Sequence, residues 1–138
     1  MTKPKVVNAL AVRVGVERFT VTASGHSIAV DSDRERNTAP SPMELVLMGL
    51  CACTATDIDI ILRKKREPFT SLEVRAEAER ATEPPQVYTQ IKLIFTVGGK
   101  VTKKAMEDAV RLSEEKYCSV SAMLQKTAKI TSEIRHVE

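Results

Sequence analysis

The segment between Ser41 and Pro68 constrains the fold of this chain more than any other. Ser41 followed by Pro42 suits an N-cap with proline at the first helical position, and Glu44, three residues after Ser41, completes a capping-box pattern. No proline then interrupts the run until Pro68, and residues 45–62 are apolar on every side, unlike an ordinary surface helix. The pattern predicts a helix over residues 41–66, which is 26 residues and about 39 Å at 1.5 Å per residue. Such a helix must be enclosed, and a single domain of 138 residues with six short strands is too small to cover it. An intertwined homodimer is therefore expected. Asp57 and Asp59 interrupt the run and Glu44 and Arg63 bound it, which favours a buried core helix over a membrane span; no membrane partner is expected.

On either side of this helix the pattern has period 2. Val6, Leu10, Val12, Val14 and Val16 occupy even positions, with Asn8 among them, and predict a first strand over residues 6–16. Phe19 and Val21 continue after a break near Gly15, Ser24-Gly25 supplies a two-residue turn, and Ile28 and Val30 mark a third strand. Residues 31–40 carry Asp33, Arg34, Glu35, Arg36 and Asn37 and only Ala39 as an apolar residue, which predicts an exposed connection. After the helix, Leu72, Val74, Ala76 and Ala78 alternate with Glu73, Arg75, Glu77 and Glu79. Beyond Pro84-Pro85 a second alternating run carries Val87, Ile91, Leu93, Phe95 and Val97. These predict two long antiparallel strands, the first with a charged face turned to water or a polar partner. Gly98-Gly99 closes the second, and Thr102 caps a helix with Ala105, Met106, Ala109, Val110 and Ser113 on one side. A short helix starts near Ser119, and Ile130, Ser132 and Ile134 mark a closing strand. The expected fold is an α+β domain over residues 1–138, in the order β-β-β-α-β-β-α-α-β.

The charges narrow the function. Twenty-one basic and 18 acidic residues are interleaved for a formal charge of +3, so no single-sign block suits nucleic acid, and no nucleic-acid partner is expected. The first residues include Lys3, Lys5, Arg13 and Glu17 and do not have the form of a signal peptide, so the cytoplasm is the expected location. Three cysteines in a reducing compartment do not make a disulfide framework. Cys51 and Cys53 are turned about 200° from one another on a helix and point to opposite sides, so they are not expected to share a metal. His26 and His136 lie far apart in strand contexts, and neither a metal nor a cofactor is expected. Cys51 is read as a small buried hydrophobe.

Ser41-Pro42-Met43-Glu44-Leu45 leads through small and apolar residues into Cys53-Thr54. Together with Lys116-Tyr117-Cys118-Ser119-Val120-Ser121, this resembles the OsmC/Ohr family of thiol-dependent peroxidases, in particular its YhfA-like branch. The resemblance extends over nearly the whole chain and implies the OsmC-like intertwined dimer with the long helix buried inside. It implies reduction of organic hydroperoxides in oxidative-stress defence. Cys53 then stands in the place of the peroxidatic cysteine, whose thiolate attacks the peroxide oxygen to give a sulfenic acid and an alcohol. Cys118 stands in the place of the resolving cysteine, which closes a disulfide that an external dithiol reductant reopens. An activating arginine is implied in the loop before the helix, here Arg34 or Arg36. Chemistry asks for such a cation, because desolvation opposes ionisation of a thiol about three turns inside an apolar helix. Cys118 lies just before a short helix, where free N–H groups and the helix dipole favour a thiolate. In the peroxidase branches a glutamate that orients the arginine directly follows the proline. Here Met43 follows Pro42, and Glu44 lies 100° further round; it stays a candidate site residue but is expected to act only as a cap.

A disulfide needs Cα atoms within about 7 Å, so the start of the third helix is expected against the middle of the long one, in the same chain or its mate. Two other functions would use the same chain: a non-catalytic dimer holding a small apolar ligand, and a redox sensor that passes oxidation to a partner.

Overall fold

The computed structural model describes residues 2–138. The chain gathers into two compact units, Met1–Val46 and Leu47–Glu138. Helix α1, Pro42–Lys64, has its first turn in the first unit and the rest in the second.

In the first unit, β1 (Leu10–Gly15), β2 (Arg18–Ala23) and β3 (His26–Asp31) form an antiparallel meander in that order. The strand predicted from Val6 starts only at Leu10, and residues 2–9 belong to no strand. Ser24 (φ 52°) and Gly25 (φ 80°) are both left-handed, which is the turn whose twist matches the flanking strands, and Ala23 pairs with His26 across it. The meander buries Val30 of β3 but leaves the apolar side chains of β1 and its turn open: Leu10, Val12, Val14 and Val16 are 62%, 51%, 59% and 67% exposed.

The segment after β3 is largely exposed, as its composition predicts, with Ser32 and residues 34–38 open to solvent, but it is closely organised. Asp31 has no exposure, and the loop folds round its carboxylate. Arg36 donates from Nε at 2.9 Å and from Nη2 at 2.8 Å. Thr38 donates from its hydroxyl at 2.7 Å and its backbone N–H at 3.1 Å, and the Asp33 N–H adds 3.0 Å. A buried carboxylate demands such pairing, and here the polar residues that look like solvated loop supply it.

In the second unit, β4 (Phe69–Arg80), β5 (Tyr88–Gly99) and β6 (Lys129–Val137) form a sheet with β5 central, antiparallel to β4 and parallel to β6. Between β5 and β6 run α2 (Lys103–Leu112), a π-helical turn (Ser113–Tyr117) and α3 (Ser119–Leu124). The α2 N-cap is as predicted, with the Ala105 N–H donating to Thr102 Oγ1 at 3.2 Å. Ile91, Leu93, Phe95 and Val97 of β5 are buried with Met106 and Ala109 of α2 and Ile58 and Leu62 of α1. At about 1.5–3 kcal/mol for each large apolar side chain buried, β5 contributes the largest share of this core. Gly99 sits at φ 97°, and a Cβ there would lie 2.6 Å from the Pro68 carbonyl oxygen, so the strand end accepts no other residue without strain.

Element order and class agree with the expectation, apart from the π turn. Helix α1 ends at Lys64, two residues early, where Arg66 turns left-handed (φ 57°) and the Glu67 N–H closes on the Leu62 carbonyl at 2.9 Å. Its burial is also narrower than expected. Leu50, Thr54, Ile58 and Leu62, four residues apart, are buried, whereas Met48 and Ile60 are exposed; this chain alone does not enclose the helix.

Candidate functional site

Cys51, Cys53 and Cys118 are free thiols. The 200° separation on α1 holds: the Cys51 sulfur meets the backbone of Ala76 on β4, and burial pushes its thiol up. Cys53 faces the other way, towards α3. Its Sγ, the Cys118 Sγ and a carboxylate oxygen of Asp57 lie within 4.8 Å of one another, all in one chain. The two cysteines that the family resemblance pairs are thus neighbours, and α3 starts against the middle of α1. Among the described residues this trio could also offer three donors to one cation, one short of a closed zinc site, with no histidine.

The turn before α3 creates this arrangement. After α2, the π turn puts the Cys118 N–H on the Ser113 carbonyl at 2.9 Å, and its wide loop leaves Cys118 extended (φ −76°, ψ 105°) as the N-cap of α3. The Ser121 N–H then donates to Cys118 Sγ at 3.3 Å, as the position before a helix predicts. That bond does not make the thiolate favourable. Burial, reinforced by the Cys53 thiol and the Asp57 charge, outweighs it and pushes the Cys118 thiol up to about 12. The expectation that the helix start favours a Cys118 thiolate is therefore corrected: Cys118 is only 3% exposed, and a six-residue helix offers too little to offset that.

Asp57 is the residue the sequence patterns do not single out. It sits four residues after Cys53, on the same face of α1, and that spacing is the signal for it. Ser113, buried at the start of the π turn, donates its hydroxyl to Asp57 Oδ2 at 2.9 Å and fixes the carboxylate. Asp57 also borders a cavity of about 470 Å³ with Ile60, Ile61, Leu112 and Tyr117 on its walls and Lys64 and Lys65 at the same cavity.

The remaining candidates belong to the first unit. Arg36 is committed to the buried Asp31, which it holds far below the usual carboxylate range, and it also donates to the Val16 carbonyl at 2.7 Å. Arg34 donates from Nη1 to Glu44 Oε1 at 2.8 Å and is braced by Asn37 Oδ1 at 3.1 Å and by the Asp31 and Ala39 carbonyls. Glu44 makes both capping-box bonds, accepting from the Ser41 N–H at 2.9 Å while its own N–H donates to Ser41 Oγ at 3.2 Å. Those bonds, with Arg34 beside it, lower its carboxyl below the usual value. The expectation that Glu44 only caps the helix is thus corrected: the 100° step from position 43 still leaves Oε1 in reach of Arg34.

The model of the OsmC-like protein family matches residues 31–133, three-quarters of the chain and both cysteine segments. Protein YhfA of Escherichia coli K12 is 46% identical over 72 residues, which are 51% of this chain and 54% of YhfA. The chain thus spans about half the length of the curated relatives it matches. Among solved structures, an OsmC-like protein from Mycoplasma pneumoniae superposes with a TM-score of 0.86 at 18% identity, over 99% of this chain and 100% of that one. An organic hydroperoxide resistance protein from Elizabethkingia anophelis gives 0.73 at 15%, over 99% and 100%. At those identities the likeness speaks for the fold, whereas the family match covers most of the sequence. The chain belongs to the OsmC-like protein family.

Proposed function

We propose that the protein is a thiol peroxidase that reduces organic hydroperoxides in oxidative-stress defence, with Cys53 as the attacking and Cys118 as the resolving thiol. The observation that carries this is the approach of the two sulfurs and the Asp57 carboxylate to within 4.8 Å in a single chain. The Cys53 thiolate attacks the distal oxygen of the hydroperoxide, the O–O bond breaks, and the alkoxide leaves as an alcohol after taking a proton. The Cys53 sulfenic acid then loses its hydroxyl as water when the Cys118 sulfur closes the disulfide. A dithiol reductant returns both thiols and is itself oxidised to a disulfide, so two electrons pass from dithiol to peroxide. The cavity bordered by Asp57, with Ile60, Ile61, Leu112 and Tyr117 on its walls, supplies apolar surface for the organic part of the substrate.

Of the two candidate arginines, Arg34 is the one we assign to activation, since Arg36 is spent on Asp31 and Glu44 orients Arg34. Two copies intertwine in this proposal, covering the exposed face of the β1–β3 meander and the open flank of α1. The test is steady-state consumption of cumene hydroperoxide with dithiothreitol as reductant. The wild type is expected to turn over and Cys53→Ser to lose activity at least about 100-fold while remaining folded, because a hydroxyl cannot replace this nucleophile. A redox sensor would oxidise once without sustained turnover, and a ligand carrier would consume no peroxide.

A further inference from the structure

Cys118 presents a difficulty for any exchange between the two thiols. It must act as a nucleophile, yet it is almost wholly buried, and its thiol is pushed up so that it keeps its proton at neutral pH. Its N-cap bond from Ser121 offers no route for that proton to leave. Among the described residues, a carboxylate beside the two sulfurs is placed to accept it. Asp57 lies on the Cys53 face of α1, with a carboxylate oxygen within 4.8 Å of both sulfurs, and Ser113 Oγ donates to its Oδ2 at 2.9 Å. Among the described residues, the other ionisable groups at the cavity that Asp57 borders are Lys64 and Lys65 of the same helix and Tyr117 of the π turn, with Lys65 3.6 Å from Asp108.

We propose that Asp57 is the proton carrier of the Cys53–Cys118 exchange, taking the Cys118 proton as its sulfur attacks Cys53 and passing it to the group that leaves Cys53. The inference rests on the two-thiol reading above. With a sulfenic acid at Cys53, the S–O bond breaks, the S–S bond forms, and the departing hydroxide takes the proton from Asp57 to leave as water. With a mixed disulfide at Cys53 the same transfer delivers the proton to the departing thiolate, so no further reagent is needed. Ser113 is a positioning residue in this scheme: it keeps the carboxylate turned to the sulfurs instead of to the open cavity. The π turn gains a purpose as well, because it carries Ser113 to Asp57 and Cys118 to Cys53 in one five-residue step.

The test follows the first-order closure of the Cys53–Cys118 bond by acid quench and mass spectrometry. One arm oxidises the reduced protein with one equivalent of cumene hydroperoxide, the other with excess glutathione disulfide, which needs no peroxidase activity. In wild type the closure rate should change less than about threefold between pH 6.5 and 8.5. In Asp57→Asn it should be about 100-fold slower at pH 7 and rise about tenfold per pH unit, because the proton must then go to hydroxide. Asp57→Glu should recover at least about tenfold, and Ser113→Ala should be slower than wild type with the wild-type pH profile. An Asn variant as fast as wild type at pH 7, or slowed equally at every pH, overturns the proposal. If the Asn variant does not fold, a Ser113→Ala rate equal to wild type overturns it. Closure by glutathione disulfide but not by hydroperoxide would reject the peroxidase reading and leave Asp57 standing, and closure by neither would reject both.

Discussion

At the scale of single residues the two sulfurs of α1 separate by geometry, and the separation predicts opposite outcomes for two similar substitutions. Cys51→Ala should leave peroxide turnover within about twofold of wild type, since its sulfur lies against β4 and away from Cys118. Cys118→Ser should permit the first oxidation and trap Cys53 as a sulfenic acid, with over-oxidation to the sulfinic acid rising at excess peroxide. A dimedone adduct confined to Cys53 checks this, and a Cys51→Ala variant as impaired as Cys53→Ser would mean the wrong sulfur has been assigned. The two cysteines were legible in the sequence through the resemblance of their flanking motifs. Asp57 was not, although its i+4 spacing from Cys53 is plain, because the hydroxyl that holds its carboxylate comes from Ser113, 56 residues away. Which of Arg34 and Arg36 the buried Asp31 captures was equally closed to the sequence.

At the scale of elements the signals that worked were local. The capping box at Ser41, the Thr102 cap, the Ser24-Gly25 turn and the period-2 runs each depend on neighbours a few residues apart, and they fixed the order of strands and helices. The π turn and the parallel pairing of β6 with β5 were not in those signals, because both depend on where α2 packs. Nor was the folding of residues 32–40 round Asp31, whose carboxylate gathers Arg36, Thr38 and Asp33. That loop has a consequence for acid stability. Its partners, Arg36 foremost, hold the Asp31 carboxyl far below the ordinary value of 3.8, so its contribution to stability is complete above about pH 4 and declines as pH falls below it. Thermal unfolding between pH 7 and 2 should show the wild-type Tm dropping below pH 4, and Asp31→Asn should start about 10 °C lower at pH 7 with a shallower acid decline. Parallel curves for the two proteins would show that this carboxylate is not what the loop depends on.

At the scale of the whole molecule, the exposed valines of β1 and the open flank of α1 set an expectation about assembly. Large apolar side chains left exposed in this way suit a contact between chains, and a second copy is the occupant proposed here. Sedimentation velocity at micromolar concentration should give twice 15.2 kDa for the wild type, and Val12→Glu combined with Val14→Glu should shift it to monomer or to aggregate. A wild-type monomer would remove the intertwined dimer. The claim on which the rest depends is that Cys53 and Cys118 of one chain exchange electrons with a hydroperoxide. Its most direct test treats the reduced wild type with one equivalent of cumene hydroperoxide and maps the disulfides by peptide mass spectrometry under non-reducing conditions. The expected result is one Cys53–Cys118 bond within each chain and a free Cys51; a Cys53–Cys51 bond, or a Cys118 that stays free while turnover continues, would contradict it.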